Sequence, residues 1–338
     1  MFRTLALARR HLLPSARTSF DAGPRITWYP GHMVKAQRNM LEAVDRCDVV
    51  IEVRDARLPL SSANPILEQF GASKGRLIVF NKSDLADARQ RKAIKAAVAA
   101  QLSAAGLKGE VLFTRGTNSK SGNKVLTAGL RLAGTPRFKT VGSMMMIMGV
   151  PNVGKSTLIN AIRHQRRRPG SRKKGKVAPT GMKPGVTRGL RTFVVSEAPL
   201  VHLIDTPGVM VPRIEDEEAG LKLALTMAIP EGIVEYAVLA DYALYALNRR
   251  GCFDYVDAFQ LEGGPSNDIF EVLRGVHAHG AAQAGKGHLP LPRGLQTQQD
   301  KDYLQDTNYQ NAARVFALAF RAGTLGHVVL DDIPGLEP

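Results

Sequence analysis

Gly149-Val150-Pro151-Asn152-Val153-Gly154-Lys155-Ser156 fits the pattern G-x-x-x-x-G-K-[ST], and Thr157 follows it. Residues of these types at this spacing handle phosphate. The glycines let backbone N–H groups close on a β-phosphate, and the start of the next helix adds partial positive charge. Lys155 would reach the β- and γ-phosphates, and the Ser156 hydroxyl would face Mg²⁺. Asn81-Lys82-Ser83-Asp84 is a second constellation. A carboxylate there can accept from both N1–H and N2–H₂ of guanine, a donor pair that adenine lacks, so Asp84 would select GTP over ATP. Asn81 would brace the site and meet the base edge, and the Lys82 stem would pack on the ring. Taken alone, Asn-Lys-x-Asp is a common strand-end turn; in a chain with a phosphate loop, after a strand, it carries more. The third is Asp205-Thr206-Pro207-Gly208, with Asp205 in the Mg²⁺ shell and the Gly208 N–H on the γ-phosphate. Between the second and third lies Pro184-Gly185-Val186-Thr187-Arg188-Gly189, where Thr187 is placed to cap Mg²⁺ and sense the γ-phosphate, with Thr180 the alternative. Val209 follows Gly208, and a valine cannot orient a water molecule.

The elements that must hold these residues are legible around them. Met144 to Met148 is an apolar run suited to a buried strand, and Thr157 to Ile162 can continue as a helix. Asp48 to Arg54, Arg76 to Phe80, Val111 to Phe113 and Leu200 to Ile204 read as further strands. A helix opens at Trp28-Tyr29-Pro30-Gly31-His32-Met33 and runs to about Arg46. Asp87 caps another, with Ile94, Val98 and Leu102 at i, i+4 and i+8 on one buried stripe, and a third ends near Leu132. Strands alternating with helices predict an α/β fold with a mainly parallel sheet flanked by helices. Beyond Ile214 the pattern turns helical. Glu215-Asp216-Glu217-Glu218 is an acidic helix start, Ile233 to Leu247 is a core helix apolar nearly all round, and Asn308 to Arg321 carries Ala312, Val315, Phe316, Ala319 and Phe320 on one face. Tyr236, Tyr242 and Tyr245 stand at helical spacing as core residues, and Ala281 to Gln299, rich in Gly, Pro and Gln, is a linker or long loop.

Forty-six Lys and Arg against 30 Asp and Glu leave a net charge of +16 over 338 residues. That balance implies a polyanionic partner: nucleic acid first, an anionic lipid surface second. Arg163 to Lys176 concentrates it, with eight Lys and Arg and no acid, as either a solvated loop or an RNA contact. Met1 to Phe20 contains Arg3, Arg9, Arg10 and Arg17 and no acid, with leucines on the apolar side; this is the composition of a mitochondrial transit peptide, the alternative being a disordered basic arm. No apolar run reaches the ~18 residues of a membrane span. Cys47 and Cys252 match no metal spacing and read as reduced thiols.

The order of the motifs is unusual. The base-reading tetrapeptide precedes the phosphate loop, whereas an ordinary small GTPase carries it last. With Trp28 to Met33 and Asp55-Ala56-Arg57-Leu58-Pro59-Leu60-Ser61-Ser62, the chain resembles the circularly permuted ribosome-assembly GTPases that mature the large subunit, and, with its transit-like start, their mitochondrial ribosome-associated GTPase 1 type. The resemblance covers residues 27–229 well and the remainder loosely. It implies a P-loop GTPase domain of circularly permuted motif order plus a smaller helical C-terminal domain that helps to bind ribosomal RNA. It also implies that Asn152 belongs to K⁺-stimulated hydrolysis, that an apolar residue at Val209 replaces a glutamine, and that His32 positions the attacking water; the other reading of His32 is a turn histidine touching RNA or backbone. Where the family carries a Ser-Ala-Lys-like guanine support, this chain has Thr114-Arg115-Gly116, and Thr114 stands in through its backbone.

The expected division is 1–24 transit peptide, 25–213 GTPase domain and 214–338 helical domain. The expected ligands are GTP, Mg²⁺ (Ser156, Thr187, Asp205) and K⁺ (Asn152), and the expected chemistry rests on His32, Lys155, Thr187 and Gly208. The expected protein is a monomer of the mitochondrial matrix bound to the large ribosomal subunit and its rRNA, with peripheral contact at the inner-membrane surface as the lipid alternative. Two rivals share part of the pattern: a GTP-gated rRNA-binding assembly factor with negligible hydrolysis, and an ATP-dependent P-loop enzyme such as a kinase, which has no use for Asn81 and Asp84.

Overall fold

The computed structural model describes residues 15–23, 25–26, 28–64, 74–107, 109–135, 142–165, 189–210, 214, 216–284 and 309–335. It places six strands in one sheet: β1 (Val49–Asp55), β2 (Gly75–Asn81), β3 (Gly109–Phe113), β4 (Ser143–Met148), β5 (Arg191–Glu197) and β6 (Leu200–Asp205). Their spatial order is β3-β2-β1-β4-β6-β5, and every pairing is parallel except β5 with β6. β1, Val-Val-Ile-Glu-Val-Arg-Asp, is buried at all seven positions, as a central parallel strand covered on both faces must be. Of its three buried charges, Glu52 and Arg54 pair with each other, Arg54 Nε donating to Glu52 Oε1 at 2.7 Å, and Asp55 ends the strand. β5 is absent from the sequence reading. It is an antiparallel edge strand with half-exposed and exposed residues and a register shift between Val194 and Ser196, so it has neither an apolar run nor clean alternation to announce it.

Helices α1 (Gly31–Val44), α2 (Arg91–Ala104), α3 (Ser119–Ala133), α4 (Lys155–Gln165) and α5 (Glu217–Leu225) accompany the sheet. The α2 stripe is as expected, Ile94, Val98 and Leu102 being its buried residues, while Asp87 caps the single 3₁₀ turn at 88–90 that feeds α2 by accepting from the Arg89 N–H. Asp216 caps α5, with Glu217 and Glu218 in its first turn.

The chain forms two compact units, residues 22–234 with 329–338, and residues 1–21 with 235–328. The division therefore departs from breaks at 24/25 and 213/214. α5 falls in the same unit as the sheet, and its Lys222 is buried between Glu218 and Asp331, at 3.2 and 3.8 Å.

The second unit contains α6 (Tyr236–Arg249), α7 (Asp254–Ala258), α8 (Ile269–Ala284) and α9 (Tyr309–Ala322). α6 begins at Tyr236 rather than at Ile233, which is exposed. Tyr242 and Tyr245 are buried as expected, but Tyr236 is half-buried under the guanidinium groups of Arg314 and Arg321. On α9, Ala312, Phe316, Ala319 and Phe320 are buried and Val315 only half so. The segment 15–21 belongs to this unit. Phe20 meets the rings of Tyr242 and Tyr245 at 5.2 and 5.4 Å, and Arg17 lies over Phe20 and bonds Asp241 at 2.6 Å.

Candidate nucleotide-binding site

In a parallel sheet the strands all deliver their following loops to one edge, and ligands bind beyond those carboxyl ends. Here β2 delivers Asn81 to Asp84, β3 delivers Thr114, β4 delivers the phosphate loop, and β6 ends in Asp205. Because β1 and β4 are neighbours, the Asn81–Asp84 half and the phosphate half share the sheet although 64 residues lie between Asp84 and Gly149.

The phosphate loop has the backbone that its glycines predict. Gly149 and Gly154 take φ of +148° and +94°, and Asn152 is left-handed at +57°. A Cβ on Gly154 would strike Asn81 Nδ2. That contact exists because Asn81 Nδ2 donates to the Val153 carbonyl at 2.8 Å, so the base-reading motif is bonded directly to the phosphate loop. Asn81 Oδ1 in turn accepts from Thr114 Oγ1 at 3.2 Å, and the Thr114 carbonyl accepts from the Ser83 N–H at 3.0 Å. Thr114 thus braces the motif through side chain as well as backbone.

Lys155 opens α4, with Ser156 and Thr157 in the same first turn. Its ammonium is buried and donates to the carbonyls of Gly149 and Val150 at 3.0 and 2.8 Å, which holds the charge inside the loop. Burial pulls its pKa down to about 8, against the pull of the Asp205 carboxylate. Asp205 is fully buried, and neither of its carboxylate oxygens has a hydrogen-bond partner among the described residues. Desolvation pushes it up to about 6, although Lys155, Arg191 and the Thr206 N–H favour its charged form. An ionisable oxygen pair buried without donors, on the sheet edge that also carries the Ser156 hydroxyl, fits a hard divalent cation that keeps waters and phosphate oxygens as its other ligands. Ser156 and Asp205 would hold Mg²⁺ there.

Beyond Asp205, the Thr206 hydroxyl donates to the Ile147 carbonyl at 2.9 Å. Gly208 lies against the phosphate loop so closely that a Cβ would sit 2.7 Å from Pro151 Cα. The Val209 N–H donates to the Gly149 carbonyl at 3.3 Å, and the Val209 side chain is buried. The Asn152 side-chain nitrogen is bonded to the Met227 carbonyl at 2.8 Å; its oxygen is the end with cation-coordinating chemistry. His32 is exposed in the first turn of α1 and lines a cavity of about 110 Å³ with Lys35, Ala36, Asn39, Gly189, Leu190 and Pro207. Thr187, Thr180 and most of the basic block, residues 166–176, lie outside the described residues.

Two functional contacts escaped the sequence reading. Asp84 is bonded at 3.2 Å by Arg115, a residue quoted only as part of a departure from the family pattern. Lys82, left-handed at φ +56°, pairs with Asp55 at 2.9 Å, and Asp55 also takes two bonds from the Arg57 guanidinium. These charges hold the Asp55 carboxyl well below the usual carboxylate range despite its burial. The available signal was Asp55-Ala56-Arg57 itself, two opposite charges at the end of a buried strand; its partner Lys82 gave none.

The family described as 50S ribosome-binding GTPase matches residues 144–251, a span that starts in β4 and takes in the phosphate loop but not the base-reading motif upstream of it. The mitochondrial ribosome-associated GTPase 1 of Xenopus tropicalis is 40% identical over 322 residues, covering 93% of this chain and 98% of its own. That of Mus musculus is 38% identical, covering 90% and 89%. The ribosome biogenesis GTPase A of Bacillus cereus is 38% identical, covering 78% and 85%. Among solved structures, the GDP-bound structure of TM YlqF aligns over 86% of this chain and 97% of its own, with a TM-score of 0.50 and 21% identity, a likeness of fold. Identity near 40% along almost the full length of both chains, with Asn81–Asp84 upstream of the phosphate loop and Asp205–Gly208 on one sheet edge, makes this chain a GTPase that belongs to the mitochondrial ribosome-associated GTPase 1 family.

Proposed function

We propose that the protein is a mitochondrial matrix GTPase that binds the large ribosomal subunit or its precursor in the GTP state. Hydrolysis to GDP then drives an assembly step and releases the factor, in support of mitochondrial translation. The observation that carries this reading is the direct bond from Asn81 to the Val153 carbonyl, which sets guanine selection and phosphate handling in one rigid frame.

In the reaction, water attacks the γ-phosphorus, the bond from that phosphorus to the β–γ bridging oxygen breaks, and GDP and phosphate leave, the water's proton going to phosphate. Lys155 balances charge on the β- and γ-phosphates, Gly208 donates its N–H to the γ-phosphate, and Asp84 reads the base. Ser156, Thr187 and Asp205 would hold Mg²⁺, and Asn152 a K⁺; such cations neutralise charge that spreads over the phosphoryl oxygens. With Val209 buried, water is left for His32 to orient from the cavity it shares with Pro207. The basic block and the helical C-terminal region supply the RNA contacts, and the inner-membrane surface is the second polyanion such a charge would meet. Among the described residues no helix is long and apolar enough to cross a membrane. The protein acts as a monomer. Its acid-free N-terminus is the mitochondrial address.

A second reading, a GTP-gated RNA-binding factor that barely hydrolyses, is favoured by the same buried Val209. GTP turnover in K⁺ and in Na⁺, with and without mitochondrial large subunits, for wild type and His32→Ala, separates the two. Subunit-stimulated turnover lost in the variant with nucleotide binding intact supports hydrolysis with His32 in the chemistry. Near-zero rates throughout, with GTP-dependent subunit binding retained, leave the gated factor.

A further inference from the structure

The loop after β1 is held from an unexpected place. Residues 329–338, which follow the helical unit in sequence, belong to the GTPase unit. Within them Asp331 is buried, and its Oδ2 accepts from the backbone N–H groups of Leu60 and Ser61 at 2.7 and 2.8 Å, while its Oδ1 accepts from the Ser61 hydroxyl. The Leu330 N–H donates to the Arg57 carbonyl at 2.8 Å, and Val329 and Ile333 are buried in the cluster that contains Ile78 and Phe80 of β2. A carboxylate on two consecutive N–H groups caps the turn as a helix N-cap would. Lys222 of α5, the helix after the switch segment, adds a buried positive charge to the same carboxylate.

The clamped loop reaches the nucleotide machinery on its other side. Ser62 accepts from the Asp55 N–H at 3.1 Å, and Asn64 Nδ2 donates to the Val209 carbonyl at 2.8 Å. Leu58 and Ser62 share a wall with Val150, Pro151, Asn152 and Val153 of the phosphate loop. Val209 is the residue directly after Asp205-Thr206-Pro207-Gly208, and its N–H is bonded to Gly149. Val209 is therefore held at both of the peptide groups that flank it, through its N–H by the phosphate loop and through its carbonyl by Asn64.

We infer that Asp331 is a positioning residue for the switch: by capping the loop at Leu60 and Ser61 it sets Asn64, and Asn64 sets where the Gly208 N–H points. The inference rests on the reading of Gly208 as the γ-phosphate contact. It requires that loss of the Asp331 cap weaken the GTP state while sparing GDP, because the bonds of Asp331 go to Leu60, Ser61 and Lys222 and not to Asn81–Asp84 or Gly149–Ser156. A merely structural role would weaken both or neither.

The test compares affinities of Mg²⁺-GDP and of a Mg²⁺-bound non-hydrolysable GTP analogue in wild type, Asp331→Asn, Asn64→Ala and the double variant of the full chain. The expected result is a roughly tenfold loss for the GTP analogue in each single variant, the size of one to two hydrogen bonds, with GDP within about twofold. The double variant should be no worse than the poorer single one, since both act through one chain of contacts. Should Asp331→Asn fail to fold, Ser61→Ala replaces it in the same cycle. Equal losses for both nucleotides, no loss, or losses that add would each overturn the proposal. A wild type that does not distinguish the two nucleotides would overturn the reading of Gly208 beneath it.

Discussion

Replacing Asp205 by Asn should make the nucleotide-free protein more stable while disabling it. In the fold the carboxyl rises from 3.8 to about 6 because burial strips it of water, which outweighs the pull of Lys155, Arg191 and the Thr206 N–H. At about 1.4 kcal/mol per pKa unit, keeping it ionised costs roughly 3 kcal/mol at pH 7. The sign follows from the direction: a raised pKa means that the folded state holds its proton longer, so this cost is absent below pH 3.8 and grows as pH rises until about 6. At pH 5 it is about half its neutral value. Asn removes the charge but buries an amide without a partner, at about 1–2 kcal/mol, leaving a net gain of roughly 1–2 kcal/mol. For a unit of this size that is about 2–8 °C in melting temperature. The assay is thermal unfolding without nucleotide at pH 7 and pH 5, beside Mg²⁺-dependent GTP affinity. The gain should shrink toward nothing at pH 5, and the Mg²⁺ dependence of binding should disappear. In wild type, Mg²⁺-supported binding should weaken about tenfold per pH unit below 6, as the proton competes for the same oxygens. A variant that melts below wild type at pH 7, or gains equally at both pH values, would refute the reasoning.

Gly154→Ala should lower affinity for GTP and GDP together by at least about tenfold, because the methyl meets Asn81 Nδ2 at a φ of +94° and separates the guanine motif from the loop; equal affinities by fluorescence titration would count against that joint. Asp84→Ala should cost about 2–3 kcal/mol in guanine-nucleotide binding, read by titration, and should erase the preference over ATP, since a site built for two donors is left without its acceptor. Phe20→Ala should loosen the helical unit by about 1–2 kcal/mol, faster amide exchange in α6 being the readout, because the ring it removes is packed against Tyr242 and Tyr245; unchanged exchange would mean that the 15–21 segment adds nothing to that unit.

Much of this protein follows from short-range pattern. Glycines at 149 and 154 with Lys155 and Ser156 specify a loop whose backbone only glycine adopts freely, and the apolar run before it has nowhere to go but a buried strand. Asn81 to Asp84 and Asp205 to Gly208 were legible in the same way, each being the end of such a run. Ile94, Val98 and Leu102 show their helix by spacing alone. What the tertiary structure alone decided is pairing across distance. Asp55 with Lys82, Asn64 with Val209, and Asp331 with Leu60 and Ser61 join residues 27, 145, and 271 and 270 positions apart, and no local spacing encodes them. β5 was hidden for a related reason, because an edge strand is defined by the neighbour it bonds rather than by its own hydrophobicity. The unit boundary at 328/329 belongs with them: a run of Val-Val-Leu-Asp-Asp-Ile looks like the close of a helical region, and only the bonds from the Leu60 and Ser61 N–H groups to the Asp331 carboxylate tie it to the GTPase unit.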